Sequence, residues 1–388
     1  MADISILVLD GAQRSALAVT RSLGCLEWVR VTTAEQGGFN LAGASRFSQE
    51  ALEYPCPQTQ PGAFIAWIKQ IIAERRFNWV FPVTEITSQL LLMHQEQIPH
   101  LHLPFAHLAQ VAALADKGKL TQMAQQLGVP VPESQFYADA TGLNPQQLNF
   151  PLVVKPCLSK IFAEDHWIST SVFVAHDAAQ LTAELHKRPY LNQHSFMVQE
   201  FIPGAGAGVF ALYNQGQAVA FFAHKRLREK PPEGGISVLS ASAAVTPQLE
   251  AYARKLLDAV HWHGVAMVEF RETPQGEFYL MEVNTRFWGS LQLAIDSGVD
   301  FPALLLRACM GEPMPAQVPY KIGQKLRWLL GDVDSLYIYL KRPHSIKAKA
   351  LRLLAFLTPC FTGLRYEVNR WGDLGPAWRE LKYYFIGR

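Results

Sequence analysis

The run ISILVLD, Ile4 to Asp10, is an almost unbroken apolar stretch near the start of the chain. A strand of that kind has to be covered on both faces, as in a parallel sheet flanked by helices. The next segment, GAQRSALAVTRSLG, predicts a turn and then a helix closed by Gly24. EWVRVTT predicts a second strand, FIAWIKQIIAERR a helix and WVFPVTE a further strand. This alternation commits residues 1–112 to a doubly wound, Rossmann-like layer with a parallel sheet. Ligands of such sheets lie beyond the carboxyl ends of the strands, where Asp10, Gly11, Arg14, Thr84 and Glu85 fall. The first turn lacks GxGxxG, so it has no dinucleotide fingerprint; a plain tight turn and a ligand contact fit it equally well.

From about residue 113 the pattern changes. LADKGKLTQMAQQLGVPVPES has helical apolar spacing up to Gly128, and two prolines then force an extended exit. FPLVVKP predicts a buried strand with Lys155 at its end. GVFALYNQGQAVAFFAHKRL predicts a hairpin turning at Asn214 to Gly216, and VAMVEFRETPQGEFYLMEVN a second one turning around Pro274 to Gly276. The expected fold is therefore α/β followed by α+β: a first domain over 1–112, a two-lobed second domain over 113–318 (smaller lobe 113–200, larger lobe 201–318), and a helical or irregular extension over 319–388. Within that extension SIKAKALRLLAFLTP predicts an amphipathic helix with Lys347, Lys349 and Arg352 near one side. A solvated basic face on a packed helix is the commoner source of that pattern, and a membrane-surface helix the alternative.

Composition narrows the function classes. Lys and Arg number 35 against 33 Asp and Glu, so no global field points to nucleic acid or an anionic surface. The five cysteines are scattered without CxxC or zinc-ligand spacing, which predicts a reduced, cytoplasmic chain. No run approaches the ~18 apolar residues of a membrane span, and the N-terminus lacks the basic and long apolar regions of a signal peptide. The HxH pairs in HLHLP and HWHG lack a third ligand, so packing or capping roles are expected for them. Cys157 is expected to be a small apolar filler, and Phe287 and Trp288 to pack a core.

The chemistry gathers in YLMEVNTRFWGS. Alternation in a strand would place Glu282, Asn284 and Arg286 on one face, with Leu280, Met281 and Val283 forming the apolar body. The hairpin partner MVEF adds Glu269. Two acids and an amide are hard oxygen ligands suited to Mg2+, and an arginine beyond them can neutralise a transferred phosphoryl group. A surface hairpin whose acids pair with Arg271 or Arg286 fits the bare pattern as well. Lys117 and Lys155 can reach phosphates as point charges. His224, Lys225, Arg226 and Arg228 form a second cationic cluster before Gly234 and Gly235.

Taken in order, DK, VVKP, QEFIPG, HKRLRE with PPEGG, VAMVEF and MEVNTRFWGS resemble the ATP-grasp superfamily, specifically its carboxylate-amine ligase-like members with the ATP-binding region of carbamoyl-phosphate synthase and biotin carboxylase. The resemblance covers about residues 1–315. It implies ATP and Mg2+ (or Mn2+) as cofactors, with Lys117, Lys155 and His224 at the nucleotide and Glu200, Phe201 and Ile202 around adenine. It further implies Glu269, Glu282 and Asn284 as metal ligands and Arg286 at the reacting phosphate; Arg226, Arg228 and the Gly234, Gly235 turn are the candidates for gripping the acceptor carboxylate or acyl phosphate. Two features depart from the family. CLSKIFAEDHWIST contains no glycine where a glycine-rich phosphate loop is common, and Ala205 to Gly208 supply no acid for the ribose.

The expected function is an ADP-forming ligase that joins a carboxylate to an amine through an acyl phosphate. Its partners would be small molecules, amino acids among them, without nucleic acid or an integral membrane segment; a homodimer is compatible with this reading. The alternatives are a bicarbonate-activating or carbamoyl-phosphate-type enzyme, an ATP-binding regulator with impaired turnover, and a membrane-surface or scaffold protein using its C-terminal basic region.

Overall fold

The computed structural model describes residues 3–386 apart from 164–165, 233, 317 and 359–362. Cys360, Glu233 of the PPEGG turn and Glu164–Asp165 of the glycine-free segment lie outside the described residues.

The first layer is a parallel sheet of β1 (Ile4–Val8), β2 (Val29–Glu35), β3 (Glu50–Glu53) and β4 (Trp79–Phe81) in the order β3-β2-β1-β4. The apolar run works as its pattern requires. Leu7 points into one core with Phe64 and Ile68 of helix α2 (Pro61–Arg75). Ile6 and Val8 point into the other with Leu17 of α1 (Arg14–Gly24), so both faces are dry. Helices α3 (Glu85–His94), α4 (Leu108–Ala115) and α5 (Lys117–Gln126) come next. The helical spacing around residue 115 is split in two at Asp116, whose carboxylate accepts from the Gly118 and Lys119 N–H groups and so starts α5 at Lys117.

The smaller lobe is an antiparallel sheet of β5 (Ser134–Tyr137), β6 (Leu152–Pro156), β9 (Phe173–Ala175) and β10 (Phe196–Glu200), ordered β5-β10-β6-β9 and backed by α6 (Ala178–His186). Between β6 and β9 the glycine-free segment forms its own ribbon, β7 (Lys160–Ala163) paired with β8 (His166–Ser169). The ring contact of Phe162 with Trp167 across it explains how this segment is ordered without glycine.

The larger sheet is built on β11 (Ala205–Asn214), β12 (Gln217–Lys230), β13 (Ile236–Ala243), β14 (Gly264–Glu272) and β15 (Phe278–Asn284). Gln215 (φ 47°) and Gly216 (φ 82°) both take the left-handed conformation that a two-residue hairpin turn needs. Helices α7 (Pro247–Ala259), α8 (Leu291–Ser297) and α9 (Phe301–Cys309) cover the sheet. Phe287 is buried beside Phe105, and Trp288 beside Phe210 and Phe301, as expected.

The segment after residue 319 is less irregular than its sequence suggests. Strands β16 (Lys325–Arg327) and β17 (Leu364–Tyr366) extend the larger sheet to the order β15-β14-β11-β12-β13-β16-β17 among the described residues. Helices α10 (Leu329–Lys341), α11 (Ile346–Leu357) and α12 (Gly375–Ile386) complete it. The same segment reaches back to the first layer. The buried Arg21 guanidinium donates to the Asp373 carboxylate at 2.7 Å and to the carbonyls of Glu367 and Val368. Arg14 pairs with Glu367 and lies over the Trp328 ring.

Candidate functional site

Glu269 on β14 stands directly opposite Glu282 on β15, so their side chains share one sheet face. The Asn284 amide, drawn with its Nδ2 toward them, donates to Glu269 Oε1 at 3.0 Å and to Glu282 Oε1 at 3.2 Å. Burial, and then the neighbouring Glu282 carboxylate, push the Glu269 pKa up. Two crowded carboxylates sharing one neutral donor form a site that a cation relieves. The residues fit a divalent ion of the Mg2+ kind: two acids and an amide whose Oδ1 can be turned inward, leaving other positions to phosphate oxygens or water.

A one-residue bulge sets this face. The register passes from Glu269↔Glu282 to Phe270↔Leu280, leaving Met281 as the extra residue. Leu280 and Val283 thereby both reach the core, while Met281 turns to the site and lies 3.5 Å from Lys155 Nζ. This corrects the expectation that Met281 belongs to the apolar body. Arg286 lies beyond the end of β15 rather than within it. Its guanidinium donates to the Phe287 carbonyl at 3.0 Å and approaches Asn284 Oδ1 at 3.5 Å. It has no carboxylate partner among the described residues.

Arg226 reaches this face from β12, across the intervening strand β11. Its Nη2 donates to Glu269 Oε2 at 3.0 Å and its Nη1 to Glu229 at 3.3 Å. Gly208 is paired with Glu269, and Gly206 lies beside the guanidinium, where an added Cβ would sit 3.7 Å from Arg226 Nη1, an ordinary van der Waals contact.

Arg228 does not join this cluster. Between Arg226↔Ser240 and Arg228↔Leu239 the ladder slips by one residue, turning Arg228 to the opposite face. There it pairs with the fully buried Asp332 of α10 and donates to the Ala355 carbonyl of α11. His224 lies near the cluster but not as a cation. Its ring is buried against Phe210 and 3.3 Å from Ser290 Oγ, and burial followed by Arg226 lowers its pKa to about 3. A neutral imidazole is not a phosphate counter-charge.

The smaller lobe supplies the opposing cations. Lys117 Nζ donates to Ser159 Oγ at 2.6 Å and lies 3.6 Å from Glu282 Oε2. Lys155 is 8% exposed, and burial lowers its pKa to about 8. Between the lobes lies a cavity of about 500 Å3 with Lys117, Lys155, Met281 and Glu282 on its walls and Glu200, Phe201 and Ile202 at one side. The Glu200 carboxylate accepts from the Glu133 N–H at 3.0 Å, which fastens the end of β10 to the start of β5.

A smaller pocket of about 210 Å3 adjoins it and shares Arg226, Gly235 and Glu269 with it; Asn284, Arg286 and His224 are also on its walls. Arg286 also lines a third cavity of about 490 Å3 at the carboxyl ends of β1, β2 and β4. Its wall includes Arg14, Glu35, Glu85 and Lys160. The sequence pattern places Arg14 and Glu85 beyond those strand ends, but it misses Glu35 and Lys160. Glu35 ends β2, so the strand-end rule applied to that strand would have found it. Burial, partly offset by the Ala12 N–H, raises its pKa to about 7. Asp10 is different in kind: its buried carboxylate accepts from the Val83 and Thr84 N–H groups, Thr87 and Tyr54.

Residues 192–331 match the family described as ATP-grasp in the biosynthetic pathway with Ter operon. Among solved structures the chain resembles an L-amino acid ligase from Bacillus licheniformis, with TM-score 0.60 and 18% identity over 79% of this chain and 74% of that one. It also resembles a biotin carboxylase from Campylobacter jejuni crystallised with a β,γ-ATP ligand, with TM-score 0.65 and 16% identity over 83% and 74% of the two chains. A third is the biotin carboxylase domain of 2-oxoglutarate carboxylase from Hydrogenobacter thermophilus, in complex with MgADP, ADP and bicarbonate, with TM-score 0.65 and 12% identity over 84% and 74%. No curated protein matches by sequence. The chain has the ATP-grasp fold, and the resemblance to that superfamily drawn from its motifs is borne out at the level of the fold.

Proposed function

We propose that this protein is an ATP-dependent ligase that activates a carboxylate as an acyl phosphate and transfers the acyl group to an amine, releasing ADP and phosphate. One observation carries the reading. Three adjoining cavities run from the lobe interface, through the pocket of Glu269, Asn284, Arg226 and Arg286, to the strand ends of the first layer. In this reading the nucleotide lies in the first, with adenine beside Glu200, Phe201 and Ile202 and its phosphates near Lys117 and Lys155. The transferred group lies in the second and the acceptor in the third.

Glu269, Glu282 and Asn284 would hold Mg2+ or Mn2+, which supplies charge neutralisation to the phosphate oxygens when bound. The acceptor carboxylate oxygen attacks the γ-phosphorus, the bond to the bridging oxygen breaks, and ADP leaves. The amine nitrogen then attacks the acyl carbon, loses a proton, and inorganic phosphate leaves. Arg286, which makes no hydrogen bond or ion pair to a carboxylate among the described residues, is placed to stabilise the transferring group. Arg226 holds Glu269 in position and is available to the acyl phosphate. Ser-type or Cys-type nucleophiles are not needed, because phosphoryl transfer rests on positioning and charge.

The third cavity is larger than a bicarbonate ion requires, which favours an organic carboxylate. The domain boundaries given above and a cytoplasmic location are part of the same proposal; free Cys25, Cys56, Cys157 and Cys309 fit a reducing compartment. The test is ADP release with ATP, Mg2+ and libraries of carboxylates and amines, including amino acids, with Glu282→Gln as the blank. Release that requires both substrates supports the ligase. Release of AMP and pyrophosphate, or bicarbonate-dependent ADP release alone, would overturn it. ATP binding without turnover against any acceptor would make the protein a nucleotide-binding regulator.

A further inference from the structure

The sequence pattern of α11 predicts a helix that packs its leucines and leaves its basic residues in water. The structure has the reverse for its central arginine. Arg352 turns inward and donates to Asp332 and Ser335 of α10, beside Phe356, which lies under Arg327. Ile346, Leu351, Leu353, Leu354 and Leu357 face out, and their exposures are 88%, 57%, 41%, 60% and 62%. No residue of this helix is buried. An outward row of large aliphatic side chains this long is costly in water and marks a surface that something covers.

The surrounding charge says what kind of surface covers it. From Ser335 to Tyr366 the sequence has no Asp or Glu and carries Lys341, Arg342, Lys347, Lys349, Arg352 and Arg365. The nearest acids on α10 are withdrawn: Asp332 is fully buried between Arg228, Arg327 and Arg352, and Asp334 is paired with Lys230. Exposed Lys341 and Lys347 therefore flank the apolar row with no acid among them. A partner protein of ordinary surface would meet net repulsion wherever it was basic, whereas an anionic bilayer offers both a hydrocarbon boundary and diffuse negative charge. The face is too short to cross a membrane, and no helix among the described residues is long and apolar enough to do so.

We propose that α11 is an interfacial docking helix that seats the protein on an anionic lipid surface, its leucines entering the headgroup boundary and its lysines meeting lipid phosphates. The docking face is firmly joined to the rest of the molecule. The Ala355 and Phe356 carbonyls accept from Arg228 on β12 and Arg327 on β16, so the helix is held on the larger sheet by its inner side.

The experiment is co-sedimentation of the full chain with vesicles of equimolar phosphatidylcholine and phosphatidylglycerol, alongside vesicles of phosphatidylcholine alone. Binding to the mixed vesicles only, weakening as salt rises, is the expected result. The double variant Leu354→Asp/Leu357→Asp should lower that binding at least tenfold while its thermal midpoint stays at the parent value, since both side chains lie outside the packed interior. Lys347→Glu should weaken binding at low salt and have little effect at high salt. Equal binding to both vesicle types, or none to either, overturns the proposal. So does sedimentation velocity showing a dimer that the double variant converts to monomer, because a second copy would then cover the face.

Discussion

Asp10 in the first layer and the Glu269–Glu282 pair in the larger sheet are both acids set among apolar strands, yet their surroundings are opposite. Asp10 is saturated: two backbone N–H groups, a threonine and a tyrosine all donate to it. Burial raises its pKa, but each of those donors pulls it back down. Glu269 and Glu282 share a single amide donor and repel each other, with Arg226 and Lys117 approaching from other elements. A saturated acid holds a loop in place, whereas an under-satisfied pair stores a demand for positive charge. The difference lies in donor count and in burial, since Asp10 is 5% exposed while the Glu269 and Glu282 side chains are 24% and 35% exposed.

The largest effect that separates the two is on turnover. Glu282→Gln should lower ADP release by about 10³-fold, as loss of a transition-state charge partner does, while leaving the thermal midpoint unchanged or slightly higher because repulsion is relieved. Equal activity in the variant would remove Glu282 from the site. The complementary change, Asp10→Ala, orphans the Val83 and Thr84 N–H groups and the Thr87 hydroxyl, and should cost about 3 kcal/mol in denaturant unfolding. A loss below about 1 kcal/mol would show that water replaces the carboxylate there.

The next effect is smaller and depends on pH. Lys155 has a pKa of about 8 in the free protein, lowered mainly by burial. Its charge is present below that pH and is lost as pH rises through it. ATP affinity should therefore fall about tenfold between pH 7 and pH 9 if only the charged form binds phosphate. Binding near pH 8 should be accompanied by proton uptake, seen by calorimetry in buffers of different ionisation enthalpy. Lys155→Arg should flatten the dependence, since a guanidinium stays charged. The smallest effect belongs to His224. Because its imidazole stays neutral down to about pH 3, His224→Gln should change nucleotide KM by less than about twofold and leave the profile around pH 6.5 unaltered.

Strand type and the facing of Glu269, Glu282 and Asn284 are legible in the sequence because two-residue periodicity and hairpin turns are local signals. The bulges are not. The extra residue at Met281 and the slip between Arg226 and Arg228 each depend on how a strand fits its neighbour, and each reverses the face taken by the residues beyond it. Hence alternation alone puts Met281 in the core and Arg228 at the site, and both expectations fail for the same reason. The fate of His224 is hidden as well, since a histidine in a basic run reads as a cation until its burial is known. Strands β16 and β17, only three residues each, are too short to leave a periodic signal, and they are held by partners far along the chain.

The way the late segment grips the first helix has a consequence for biosynthesis. Arg21 is 6% exposed, and its guanidinium is satisfied by residues about 350 positions later, at Glu367, Val368 and Asp373. While the chain is being made, the first layer can gather its apolar strands, but the Arg21 guanidinium lacks these partners until residue 373 emerges. Nascent chains stalled before that point should therefore be protease-sensitive around α1, and the emergence of residues 367–373 should be what fastens the first layer to the late segment.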